Sequence, residues 1–237
     1  MKEFFLENYN TIIYCIEAFA VCVGLFCLKK FSNTNAVFFI KILVYLFVIE
    51  LLGSYTYLYG TFEFLEPIRN SVFKTNRWWF TITFDIVVVI LFSILYQKIL
   101  KNKKHKFILK VGTILFTITA VFLILIDIDT LFAGSYDSIG IIGTLLILTC
   151  CVFFFIEILQ SSNILEFSRS LYFYVSVAIF IWWLIVTPLV FYDIYFRNID
   201  WNFIFLKWQI YLFANIFMYA TFAIGLLVSR PDKIKNV

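Results

Sequence analysis

Seven runs of about twenty residues, at 10–28, 36–58, 78–97, 107–126, 138–160, 171–193 and 208–229, pass with few charged side chains. A helix of about 20 apolar residues crosses a hydrocarbon core about 30 Å thick, so each run is long enough to span a bilayer. Backbone inside lipid must satisfy its own N–H and C=O groups, which makes a helix the form such a run adopts. The chain is therefore expected to be all-α, a single polytopic transmembrane bundle of seven helices covering residues 1–237. Only 14% of its residues are charged, against about 25% in an ordinary soluble domain. The longest interval between runs, 59–77, is too short to fold as a separate soluble domain. Any chemistry has to sit in the bundle or at its rims.

Lysine and arginine near span ends set orientation, because basic loops stay on the cytoplasmic side. One side receives Lys29, Lys30, Lys41, Lys98, Lys101, Lys103, Lys104, Lys106, Lys110, Arg169, Arg230, Lys233 and Lys235; the other receives Lys2, Arg69, Lys74, Arg77, Arg197 and Lys207. Thirteen against six predicts an outside N-terminus and a cytoplasmic C-terminus in the cell inner membrane. Trp78, Trp79, Trp201 and Trp208 then fall at the outer ends of spans three and seven, the level at which indole sits well. The N-terminal segment carries Glu3 and Glu7 where a signal peptide has a basic region, so span one is expected to persist. The basic loop 98–106 is explained by topology and by attraction to anionic lipid; nucleic acid is not an expected partner.

No Gly-rich phosphate loop, HExxH, CxxC or nucleophile elbow occurs, and the one histidine, His105, lies in the basic loop. No catalytic residue, metal site or cofactor is expected. Cys15, Cys22, Cys27, Cys150 and Cys151 all fall within the predicted spans among apolar neighbours, which suits packing better than a disulfide framework.

Charged groups inside spans are costly and therefore candidates for function. Counted from the predicted outer ends, Glu17, Glu50 and Asp85 lie seven or eight residues deep. At about 1.5 Å per residue all three sit roughly 10–12 Å below the same boundary. Thr119, Thr144, Thr187 and Asn215 fall near that level from their own spans. This layer has two readings. The acids either hydrogen-bond to Thr, Tyr or Asn of neighbouring helices as packing, or line an outward-facing cavity that binds a cation, a proton or a polar ligand. Glu157 and Lys41 lie near the inner boundary and reach the headgroups without a ligand. Trp182 and Trp183 precede Pro188, the one proline inside a span. A proline there removes a helix hydrogen bond, so the trio is either a packed kink or a gating hinge.

Seven spans and the run Arg77-Trp-Trp-Phe ahead of Asp85 invite comparison with receptors and microbial rhodopsins. A retinal Schiff base needs a lysine inside span seven, where Tyr219 stands instead and Lys207 is at the edge. The chain more closely resembles a group of small, largely uncharacterised seven-span inner-membrane proteins of Bacteroidota-type bacteria. The residues that carry the likeness are Leu51-Leu-Gly-Ser-Tyr after Glu50, Gly134-Ser-Tyr-Asp-Ser-Ile-Gly before span five and Glu157-Ile-Leu-Gln-Ser-Ser after it. The expected function is a non-enzymatic sensor or receptor-like module that binds through the polar layer and signals to a cytoplasmic or membrane protein partner, with homo-oligomers allowed. The alternative is an ion channel, transporter or membrane-perturbing defence effector whose path the same acids line.

Overall fold

All seven expected spans are helical. The computed structural model describes residues 2–134, 136–161, 164–195 and 201–231, and among them no strand occurs. The long helices are α1 (Lys2–Phe26), α2 (Ala36–Gly53), α3 (Arg77–Ile99), α4 (Lys103–Ile126), α5 (Asp137–Leu159), α6 (Leu171–Tyr195) and α7 (Trp201–Val228). Among the described residues these supply seven segments long and apolar enough to cross a membrane, with ends within a few residues of the sequence reading. The chain is a helical integral membrane protein. Of the residues weighed for orientation, Arg197, Lys233 and Lys235 lie outside the described residues, as do the side chains of Lys2 and Trp201.

Two compact units divide the chain, one of Met1–Leu43 with Cys151–Val237, the other of Val44–Cys150. In the first unit α7 packs against both α1 and α6. Gly225 permits the α6–α7 approach: a Cβ there would stand 2.7 Å from the Cβ of Tyr174. Phe39 of α2 meets Phe222 edge to face at 5.1 Å. The C-terminal carbonyls of α7 are capped from the α1–α2 turn, where Lys30 Nζ donates to Leu226 O and Leu227 O at 2.9 Å each. A cation at that end also suits the negative pole of the helix.

The second unit is organised by the α3–α4 hairpin. Asn102 caps α4 by accepting from the Lys104 N–H at 2.9 Å. Leu109, Thr113, Phe116 and Ala120 form the buried stripe of α4, at the 3–4 residue spacing of one helical face. The opposite flank, including Phe107, Leu115, Ile118 and Leu125, is exposed. In a bilayer an apolar exposed flank is the surface presented to lipid, so exposure here marks solvation by hydrocarbon.

The five cysteines are free thiols. Cys27, Cys150 and Cys151 are buried, in keeping with a packing role. Cys15 and Cys22 are exposed on α1, which corrects the expectation that all five pack inside. They sit seven residues apart on a flank turned away from the buried face. Cys27 lies just beyond the last residue of α1, and its Sγ approaches Leu226 O at 3.6 Å.

Candidate functional site

In the first unit, Ile13, Glu17, Ala20 and Val21 are all buried on α1. Their spacing of three and four puts them on one helical face, so Glu17 shares the face by which α1 packs and is only 5% exposed. On α6, Trp182 is buried and its Nε1–H donates to Asn215 Oδ1 of α7 at 2.7 Å. One member of the expected gating trio is thus bonded to one member of the expected layer. Trp183 packs edge-on against Trp182 with ring centres 5.0 Å apart. Thr187 turns its hydroxyl to the Trp183 carbonyl at 2.6 Å, a bond within its own helix. Pro188 is exposed, and α6 is helical on both sides of it.

In the second unit, Glu50 and Asp85 are half-buried. Asp85 occupies a π-helical segment, Thr81–Val88, set between the α-helical turns Arg77–Phe80 and Val89–Ile99. The wider winding of a π-segment leaves main-chain groups needing other partners, and such segments recur at functional sites. Donors converge on this one. Tyr45 of α2 gives its hydroxyl hydrogen to Thr83 O at 3.1 Å, and Thr83 Oγ1 donates to Trp79 O at 2.7 Å. Trp79 Nε1–H reaches back to Ile49 O, next to Glu50, at 2.8 Å. The backbone flanking both acids is therefore tied together across α2 and α3. Thr144 is buried and bonds Gly140 O in its own helix at 2.8 Å, while Thr119 is half-buried on α4.

The sequence-predicted layer therefore falls into two sets, Glu17, Thr187 and Asn215 in one unit and Glu50, Asp85, Thr119 and Thr144 in the other. Among the described residues no three His, Cys, Asp or Glu side chains converge as metal ligands.

Two features escaped the sequence reading. The first is a buried polar cluster across α3, α4 and α5. Ser93 Oγ and Thr113 Oγ1 are 2.6 Å apart, Gln97 Nε2 donates to Thr113 Oγ1 at 3.2 Å, and Cys150 Sγ stands 4.0 Å from Ser93 Oγ. Thr113 passes its own hydrogen to Leu109 O at 2.6 Å, which makes Ser93 the donor between the two hydroxyls. Ser93 and Thr113 stand ten residues either side of Lys103, a symmetry about the hairpin that the sequence does display.

The second is an ordered cap over residues 54–76. Tyr55 Oη donates toward Phe73 O at 2.7 Å and Thr75 O at 2.8 Å, and Tyr59 Oη toward Lys74 O at 3.2 Å. Asn76 Nδ2 donates to Gly53 O at 2.9 Å, and Thr75 Oγ1 to Phe132 O at 2.9 Å. Phe132 belongs to the short helix Ile128–Ala133, whose start is capped by Asp127. Tyr136 donates to the Asp127 carbonyl. Burial first, and the Asp127 carboxylate next, push this phenol above its usual pKa, so it keeps the hydrogen it donates. No protein family matches the chain, and no curated protein or solved structure is found to be similar to it.

Proposed function

We propose that the protein is a non-enzymatic, sensor- or receptor-like membrane module that takes up a cation, a proton or a polar ligand at acids held within its spans. The observation that carries this reading is the placement of Asp85 in a π-helical segment that Tyr45 and Thr83 bond from outside the regular ladder. A change of charge on a carboxyl group at a locally rewound helix would act on the backbone geometry around it. The excess of basic residues on one side supports an outside N-terminus in the inner membrane. Membership of a group of small seven-span inner-membrane proteins of Bacteroidota-type bacteria is part of the same proposal.

Signal output is assigned to the α3–α4 turn, where Lys101, Lys103 and Lys104 are exposed. The turn is short, since α3 ends at Ile99 and α4 starts at Lys103. Reversing the charge of those three lysines therefore removes a partner's binding surface while keeping the hairpin. The second reading, a channel or transporter, draws on the presence of two half-buried acids, Glu50 and Asp85, in one unit.

Reconstitution of the full chain in vesicles separates the two readings. For a sensor, tryptophan emission responds to external pH or cation, Asp85→Asn abolishes the response, and no flux accompanies it. For a transporter, the unmodified chain carries cation or proton flux that Asp85→Asn and Glu50→Gln abolish. Neither response nor flux in the unmodified chain would remove both readings.

A further inference from the structure

We infer that the cap formed by residues 54–76 is an interfacial anchor, with Phe62 and Phe64 seated where lipid headgroups meet acyl chains. The span Ala36–Leu58 has 23 residues. Even at about 1.5 Å per residue it exceeds a hydrocarbon core of about 30 Å, so Leu58 emerges at headgroup level. Gly60 follows with a φ of 82°, a left-handed conformation that suits glycine and turns the chain off the axis of the span. The far end of the segment is pinned back to its start by Tyr55, Tyr59 and Asn76, each bonded across the cap to main-chain carbonyls. Both feet of the segment are therefore held at the level where α2 ends and α3 begins.

The segment nevertheless presents bare apolar side chains. Phe64 is 71% exposed, Val72 58% and Phe62 44%, and the Phe62 and Phe64 ring centres lie 5.5 Å apart. Between them and the head of α3 stand Glu66 and Arg69, exposed and paired at 3.4 Å. Apolar side chains beside the charged Glu63, Glu66 and Arg69 form the amphipathic composition that lies in a membrane interface. The occupant is lipid because the apolar surface is continuous in the chain with the exposed flank of α2, Val48, Leu51 and Leu52. Those residues belong to a span and already face hydrocarbon. The inference depends on the chain crossing a membrane, and is independent of what Asp85 binds.

Spin labelling tests it on the full chain in phosphatidylcholine–phosphatidylglycerol vesicles, with the exposed Cys15 and Cys22 changed to serine. Labels at Phe62→Cys and Phe64→Cys are compared with a lipid reference at Leu115→Cys and a water reference at Lys103→Cys. All four native side chains are exposed, so labelling leaves the core intact. The anchor predicts several-fold more collision with oxygen, relative to a water-soluble nickel chelate, at 62 and 64 than at 103. Accessibility equal to that at 103 overturns it in favour of water. Shielding from both reagents overturns it in favour of a protein partner or a second copy of the chain.

Discussion

Glu17 and Asp85 stand at similar depths in their spans, and the two regions around them accommodate a carboxyl group differently. Glu17 lies on the face by which α1 packs, flanked by Ile13, Ala20 and Val21, in a unit where Gly225 brings α6 and α7 into close approach. Asp85 is only half-buried, in a helix that changes its winding around it and borrows a hydroxyl from Tyr45. The first environment resists rearrangement. The second already departs from regular helix and is held by side-chain bonds to main-chain carbonyls, which a change of charge nearby can redistribute. Depth alone therefore does not make an exchange site; the local packing and backbone around the acid decide how readily it can respond.

The largest test of this contrast is overpacking at glycine. In Gly225→Val the new Cβ would stand 2.7 Å from Tyr174 Cβ and 3.1 Å from its Cγ. A Cβ cannot move without its backbone, so α6 and α7 must separate. Overpacked cores lose about 1–3 kcal/mol, and this site belongs at or above the upper end. The counterpart in the second unit is Gly143→Val, where the nearest atom is a side-chain methyl, Val89 Cγ2, at 3.1 Å. Its loss should be smaller. Thermal unfolding in mild detergent, followed by helix circular dichroism, reads both. Equal losses would erase the distinction in packing between the units.

The spans were legible because crossing a bilayer imposes a length and a near-absence of charge, and both are written directly in the residues. The acids Glu17, Glu50 and Asp85 were legible for the same reason, since each breaks an apolar run. What could not be read is how each is surrounded. The π-segment at Asp85 depends on where Tyr45 directs its hydroxyl and on the bonds Trp79 and Thr83 make, none of which leaves a periodic signature. The cap over 54–76 is held largely by side chains bonding to main-chain carbonyls, and a carbonyl belongs to every residue. Cys15 and Cys22 were misplaced because thiols read as buried wherever their neighbours are apolar, whereas in lipid an outward-facing thiol also has apolar neighbours.

The neutral cluster of the second unit gives a middle-sized effect. Thr113→Val keeps nearly the same volume and removes the hydroxyl that serves Ser93, Gln97 and Leu109 O. A buried polar group left without its partner costs about 1–3 kcal/mol. Replacing Ser93 by alanine as well removes the donor whose acceptor was lost, so the double variant should recover part of the loss. Strictly additive losses would mean that the two hydroxyls do not act as a pair, and that the cluster does not bind α3 to α4.

The smallest expected effect bears on the first unit. Trp182→Phe keeps an aromatic ring beside Trp183 and deletes the Nε1–H that reaches Asn215 at 2.7 Å. Hydrogen bonds between helices in a bilayer average about 0.6 kcal/mol and rarely exceed about 1.7 kcal/mol, because the separated helices also find partners. The bond itself should therefore contribute within that range, and the single variant adds to it whatever packing the smaller ring loses. A double-mutant cycle with Asn215→Leu isolates the pair: each single change breaks the same bond, so the combined loss should fall short of the sum by that amount. Trp183→Phe, whose indole forms no part of that bond, should show no coupling to Asn215. If Trp182 and Asn215 also prove uncoupled, close packing alone joins α6 to α7, and the polar contact at that junction is free to serve as a hinge.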